Sequence, residues 1–296
     1  MDVPPSPAPD TEGQSTERRI WPSLVVCAVL LPAAIAASTG GLLVALAIYG
    51  GFETIMVEDA LLARVAEIMQ EPLGLLLVVL PGQAVFLAAA VIPAIMSPVP
   101  IATRLGLRRP RIPLWSIPIL MVATLAVGLV NLLTLRLLGN DAGQQIEMLS
   151  AVFRDAPPAG FACALIVLSV VPGLVEEILF RGYLLGGFLR RWPPVVAVAF
   201  TSVFFAAVHL DPQHALLVLP LGVWLGVMTW RTGSIVPAVL CHLFNNLYGM
   251  IATRFTDPEA ILAANATLTT IDLVIVATSG LAFVVSIVVL VGFRRP

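Results

Sequence analysis

Lysine is missing from this chain: all 16 basic residues are arginine. Charge of either sign is scarce, at 11% of 296 residues, where a soluble globular chain carries about 25%. Hydrophobic residues make up 59% and the mean hydropathy is +0.99, which excludes an ordinary soluble domain. No nucleic acid is expected among its partners. The formal net charge of −2 says less than where each sign sits along the chain. Cysteine is equally rare. Cys27, Cys163 and Cys241 each fall inside an apolar run with no CxxC spacing, which argues against a disulfide framework or a zinc knuckle. The chain also lacks heptads and internal repeats, so neither a coiled coil nor a transporter built from two related halves is indicated.

What is present is a series of long apolar segments, so the expected fold is all-α, a polytopic membrane bundle. Residues 1–19 are rich in Pro, Ser, Asp and Glu and end at Arg18-Arg19, the composition of a disordered cytoplasmic tail. The run from Ile20 to Tyr49 is too long for a signal-peptide core and reads as the first span, although Ala34-Ile35-Ala36 has the form of a cleavage site. At about 20 residues per span, further helices are predicted near 73–97, 115–138, 158–190, 193–210, 214–231, 234–253 and 268–293, about eight in all. Three regions follow the tail: residues 20–157 with the first three spans, 158–253 as a core of four, and 254–296 with the last. Residues 54–70 mix acids with apolar positions at helical spacing and suit an interfacial helix. With the N-terminus inside, Arg18, Arg19, Arg104, Arg108, Arg109, Arg111, Arg190, Arg191, Arg231, Arg294 and Arg295 all fall on the cytoplasmic side. The positive-inside rule thus places both termini in the cytoplasm of a bacterial-type plasma (inner) membrane.

One stretch interrupts this apolar pattern with charge. Glu176, Glu177 and Arg181 sit within the fourth span, just after Pro172-Gly173, a pair expected to kink it. A charge at mid-membrane costs roughly 2.5–3.5 kcal/mol on insertion scales, so these side chains must face protein or water and have partners. Glu177 and Arg181 are i and i+4 in the favourable order for an ion pair. Glu176 lies about 100° away round the helix and has no cation within a turn, which suits it to accept a proton as a general base. Two of the three histidines also lie in apolar spans: Phe205-Ala-Ala-Val-His209 closes the fifth, and His242-Leu-Phe-Asn-Asn246 lies in the seventh. His242 and Asn246 share one helical face. At about 1.5 Å per residue, Glu176 lies about 21 Å up its helix, His209 about 24 Å, His242 about 12 Å and Asn246 about 18 Å. Glu176, His209 and Asn246 can therefore meet in one layer. Carboxylate and imidazole can deprotonate a water, and imidazole and carboxamide donors can stabilise an oxyanion, the two needs of amide hydrolysis.

Glu-Glu-x-x-x-Arg at 176–181 followed by Gly182, Phe-x-x-x-His at 205–209 and His-x-x-x-Asn at 242–246 resemble, in order, the motifs of the CAAX-prenyl-protease and bacteriocin-processing (CPBP, ABI) family of intramembrane proteases. The likeness covers residues 158–253. It implies that Glu176 and His209 activate the attacking water, that His242 and Asn246 form the oxyanion hole, and that Glu177, Arg181 and Phe205 support the site. It implies a peptide or membrane-protein substrate, lipidated or not, presented in the bilayer. A metal-free site is favoured because no His-x-x-x-His pair puts two nitrogens on one helical face. Zinc held by Glu176, His209 and His242 is the alternative. The residues taken singly have plainer readings. A buried Glu–Arg pair can be a helix staple, and a lone His or Asn an interhelical hydrogen bond. His214 reads as a solvated loop residue, and Trp115, Trp192, Trp224 and Trp230 as interfacial anchors. A proton-coupled transporter, a haem or quinone protein with His209 and His242 as axial ligands, and a non-catalytic membrane scaffold remain as other classes.

Overall fold

The computed structural model describes residues 19–138, 153–154, 156–255 and 270–292; the tail expected over residues 1–19 lies outside them except for Arg19. Nine principal helices run through the described residues, with no strand among them. They are α1 (Trp21–Tyr49), α2 (Glu58–Gln70), α3 (Pro72–Ile95), α4 (Ile117–Leu138), α5 (Pro158–Phe188), α6 (Pro194–Ala207), α7 (Pro212–Thr232), α8 (Val236–Phe255) and α9 (Thr270–Gly292). Five of them, α1, α3, α5, α7 and α9, are long and apolar enough to cross a membrane. Three shorter apolar stretches lie in α4, α6 and α8. The protein is an integral membrane helix bundle, and α2 is the helix predicted between the first two spans.

The helix starts follow local chemistry. Pro22, Pro72, Pro158, Pro194 and Pro212 stand in first turns, where the missing N–H leaves no bond unmade. The Asp211 carboxylate caps α7 by accepting from the backbone N–H groups of Gln213 at 2.7 Å and His214 at 2.9 Å, and such a cap is worth about 0.5–2 kcal/mol.

The long fourth span is not simply kinked at Pro172-Gly173. It widens into π-helical turns on both sides, at Ile166–Val170 and Glu177–Leu185. Pro172 has no N–H for the carbonyl of Leu168 and its ring crowds that carbonyl, so the turns ahead of it open out. The second π segment begins at Glu177, and such turns are frequent at functional sites. Helix α5 occupies the middle of the bundle and packs against α3, α6, α7 and α8.

The apolar core joins Val26, Leu30 and Ala34 of α1, Phe86 and Ala90 of α3, Leu179, Phe180 and Tyr183 of α5, and Phe205 of α6. Helix α1 can lie along α3 because Gly41 has no side chain: a Cβ there would sit 2.1 Å from the Leu77 carbonyl oxygen. A second core lies between α4, α7, α8 and α9. There Trp224 is buried and donates from Nε1 to Thr124 Oγ1 at 3.0 Å. Sequence position alone suggested an interfacial anchor for Trp224; its indole instead finds its hydrogen-bond partner inside the bundle.

The arginine-bearing connections converge at one end of the bundle. Arg104 Nη1 donates to the Tyr183 carbonyl at 3.0 Å, the Arg111 backbone N–H to Thr232 O at 2.9 Å, and Arg231 Nε to Leu290 O at 2.7 Å. The ends of α5 and α7 thus meet the segment that joins α3 to α4, and the end of α9 meets that of α7. Cys241 is buried, Cys27 and Cys163 are half-buried, and all three are free thiols.

Candidate functional site

Helix α6 is the shortest of the apolar set, and this places His209. Its 14 residues span about 21 Å at 1.5 Å per residue, short of a hydrocarbon core of about 30 Å. The helix expected over 193–210 therefore stops early, at Ala207, and His209 lies in the turn beyond it. Leu210 adopts φ +60°, a left-handed conformation that costs a non-glycine residue of order 1–3 kcal/mol and tends to cluster at functional sites. Irregular backbone at membrane depth is tolerated where it lines a cavity. Val208, His209 and Leu210 do line one, of about 450 Å³, together with Gln83, Phe86 and Glu176. The opposite wall comes from Leu31 to Thr39 of α1. Glu176 and the segment around His209 thus line this space together with α1 and α3, while His242 is outside its lining and reaches Glu176 Oε2 at 4.0 Å.

Glu176, Glu177, Arg181 and His242 are all buried, and their contacts form a chain. Arg181 Nη1 meets Glu177 Oε1 at 2.7 Å, so the i, i+4 pair is present. Arg181 Nη2 also donates to the Gly222 carbonyl at 3.1 Å, and its guanidinium lies 4.3 Å from the Phe205 ring centroid. His242 Nδ1 lies 2.9 Å from the same Glu177 oxygen, and its Nε2 lies 4.0 Å from Glu176 Oε2. The other Glu176 oxygen accepts from Gln83 Nε2 at 3.1 Å.

His209 is held through its own helix, with Nδ1 2.9 Å from the Phe205 carbonyl oxygen. Donation from Nδ1 to that carbonyl leaves Nε2 as the acceptor. The Phe205 ring packs edge-on against both histidines, with centroids 5.2 Å from His209 and 5.9 Å from His242. His214 is not a loop residue. It stands in the first turn of α7, its ring stacked on His209 with centroids 4.7 Å apart.

Depth counting had set His242 about 9 Å below Glu176 on the scale of 1.5 Å per residue, but the two side chains meet. Part of the reason is the π segment of α5, whose wider turns rise less per residue than an α-helix. Asn246, one turn beyond His242, is half-buried and accepts a long hydrogen bond from Asn245 Nδ2 at 3.5 Å. Helices α5 and α8 approach closely enough for the Glu177–His242 bond because residue 173 is glycine; a Cβ would lie 3.0 Å from both N and Cα of Leu243. Gly173→Leu is expected to push α8 outward, breaking that bond and lowering any activity at the site by about 10- to 100-fold, the worth of one hydrogen bond to a charged group. Kinetics and melting measured on the same preparation check this.

Gln83 was missed by the sequence reading. The available signal was a lone amide in the middle of an apolar helix, beside Pro81-Gly82, where an uncharged polar side chain needs a partner. As for a metal, among the described residues no group of three His, Cys, Asp or Glu side chains converges as ligands would. The zinc alternative would need Glu176, His209 and His242 around one point.

The family match falls on this same region. Residues 158–248 match the Rce1-like family, described as Type II CAAX prenyl endopeptidase Rce1-like. The matched segment holds Glu176, Glu177, Arg181, Phe205, His209, His242 and Asn246; Gln83 lies outside it. A Bacillus subtilis (strain 168) protein named "Putative membrane peptidase YdiL" is 28% identical over 138 residues, covering 47% of this chain and 55% of that protein. The "UPF0177 protein YxdF" of Lactococcus lactis subsp. lactis (strain IL1403) is 30% identical over 98 residues, covering 32% of this chain and 52% of its own. The chain thus spans about half the length of these curated relatives. No solved structure matches it significantly.

Proposed function

We propose that the protein is an intramembrane endopeptidase of the CAAX-protease type that hydrolyses a peptide bond with a water activated by Glu176 and His209. The observation that carries this reading is Glu176 itself, a buried carboxylate on the wall of a cavity inside an apolar bundle, with His209 lining the same space. The Rce1-like match over the segment that holds both residues supports it. The water oxygen bonds to the substrate carbonyl carbon while its proton passes to Glu176 Oε2. His209 Nε2 accepts from the same water and holds it in line. The C–N bond then breaks, and the proton on Glu176 moves to the leaving amine nitrogen. His242 and Asn246 donate to the developing oxyanion. Donation from His242 Nε2 while Nδ1 donates to Glu177 requires the doubly protonated ring, a charge that the two carboxylates beside it would balance. Substrate is a peptide or membrane protein, lipidated or not, whose scissile segment is unwound in the cavity. The arginine-rich end faces the cytoplasm of the plasma (inner) membrane, with both termini on that side.

Purified protein in detergent, given a panel of quenched lipidated and unlipidated peptides with and without a chelator, tests the reading. Cleavage that the chelator leaves unchanged is the expected result. Loss of cleavage that added zinc restores would assign a metal mechanism. A panel left intact by the wild type would favour the transporter or scaffold class.

A further inference from the structure

The catalytic reading above places the reacting carboxylate on α5, yet a side chain from outside the motif-bearing segment holds one of its oxygens. Gln83 of α3 donates from Nε2 to Glu176 Oε1 at 3.1 Å and lines the same cavity. The orientation of this amide is decided by chemistry: an ionised carboxylate only accepts, so the amide must present its NH₂. Its own Oε1 is buried with no hydrogen-bond partner. An amide used only as a strut between helices would be expected to satisfy both of its ends, because a buried unpaired acceptor is costly. The groups facing Glu176 from the packed elements are Gln83 of α3, His242 of α8 at 4.0 Å, and His209 in the turn after α6 across the shared cavity; Glu177 follows it on α5. Among these Gln83 is the uncharged donor.

We propose that Gln83 is a positioning residue for the reaction: its N–H ties down Glu176 Oε1, so that Oε2, the oxygen facing His242, is the one presented to the water. This inference rests on the protease reading, but part of its test does not.

Two variants of similar length, Gln83→Leu and Gln83→Met, remove the donor and keep the volume. On a peptide cleaved by the wild type, both should lower kcat by about 10- to 100-fold, the worth of a hydrogen bond to a charged group, with KM and the melting temperature unchanged. Separately, N,N′-dicyclohexylcarbodiimide, which reacts with carboxyl groups in apolar surroundings, should label Glu176 about 3- to 10-fold faster in the variants, where Oε1 is no longer held by the Gln83 amide, than in the wild type. Peptide mapping by mass spectrometry reads that labelling without any substrate. An unchanged labelling rate, or a fall in melting temperature with kcat intact, would overturn the proposal and leave Gln83 an interhelical strut. If the wild type cleaves no peptide, the protease reading fails while the labelling rate still decides whether Gln83 controls the carboxylate.

Discussion

Glu176→Gln is expected to lower cleavage by about 10²–10⁴-fold, the usual contribution of a general base, while the protein keeps its fold. The substitution is nearly isosteric. Its amide oxygen can still accept the hydrogen bond that Gln83 Nε2 gives to Glu176 Oε1 at 3.1 Å, so packing against α3 survives. What is lost is the basicity at the second oxygen, the one 4.0 Å from His242 Nε2. The measurement is kcat on a cleaved peptide beside a melting curve of the same preparation. A variant that retains kcat within tenfold would remove Glu176 as the base and with it the mechanism. A variant that loses activity only because it melts early would leave the role undecided between chemistry and packing. Glu176→Asp, which keeps the carboxylate but withdraws it by one methylene, then separates the two: partial activity with full stability marks chemistry.

Arg181→Met is expected to be the most destabilising single change at the site. Its guanidinium is almost wholly enclosed and is shared between Glu177 Oε1, the Gly222 carbonyl and the face of Phe205. Removing it leaves Glu177 as a buried charge whose Oε2 already has no hydrogen-bond partner. Breaking a buried pair in this way costs about 3–5 kcal/mol, which corresponds to a fall in melting temperature on the order of 10 °C for a chain of this size. Combining Arg181→Met with Glu177→Leu should restore much of that stability, because an apolar pair of similar volume avoids the desolvation penalty. It should not restore cleavage, because His242 Nδ1 loses the oxygen that holds it at 2.9 Å. Melting temperature and kcat, measured on the single and double variants, would then move in different directions. If both recovered together, the Glu177–Arg181 pair would be a helix staple and nothing more.

The helical class, the run of apolar spans and the Glu177–Arg181 pair were legible in the order of residues because each depends on local periodicity. A span is recognised by consecutive apolar residues, and an i, i+4 pair on one helix needs no knowledge of its neighbours. The grouping of Glu176 with both histidines was legible in outline, since ionisable groups in a membrane must find partners and few were on offer. Levels along the helices were not. The counting assumed ideal α-helices of full membrane length, whereas α6 ends at Ala207 and α5 opens into π-helical turns from Glu177. Nor was the stacking of His214 on His209, which follows from the tight turn at Leu210 and the Asp211 cap. The sequence by itself thus settled which side chains needed partners, because that follows from the cost of charge in an apolar medium. Which partner each one found was decided by packing in three dimensions. Gln83 lies 93 residues from Glu176 and His242 lies 65 from Glu177, and no local pattern encodes contacts between helices so far apart in the chain.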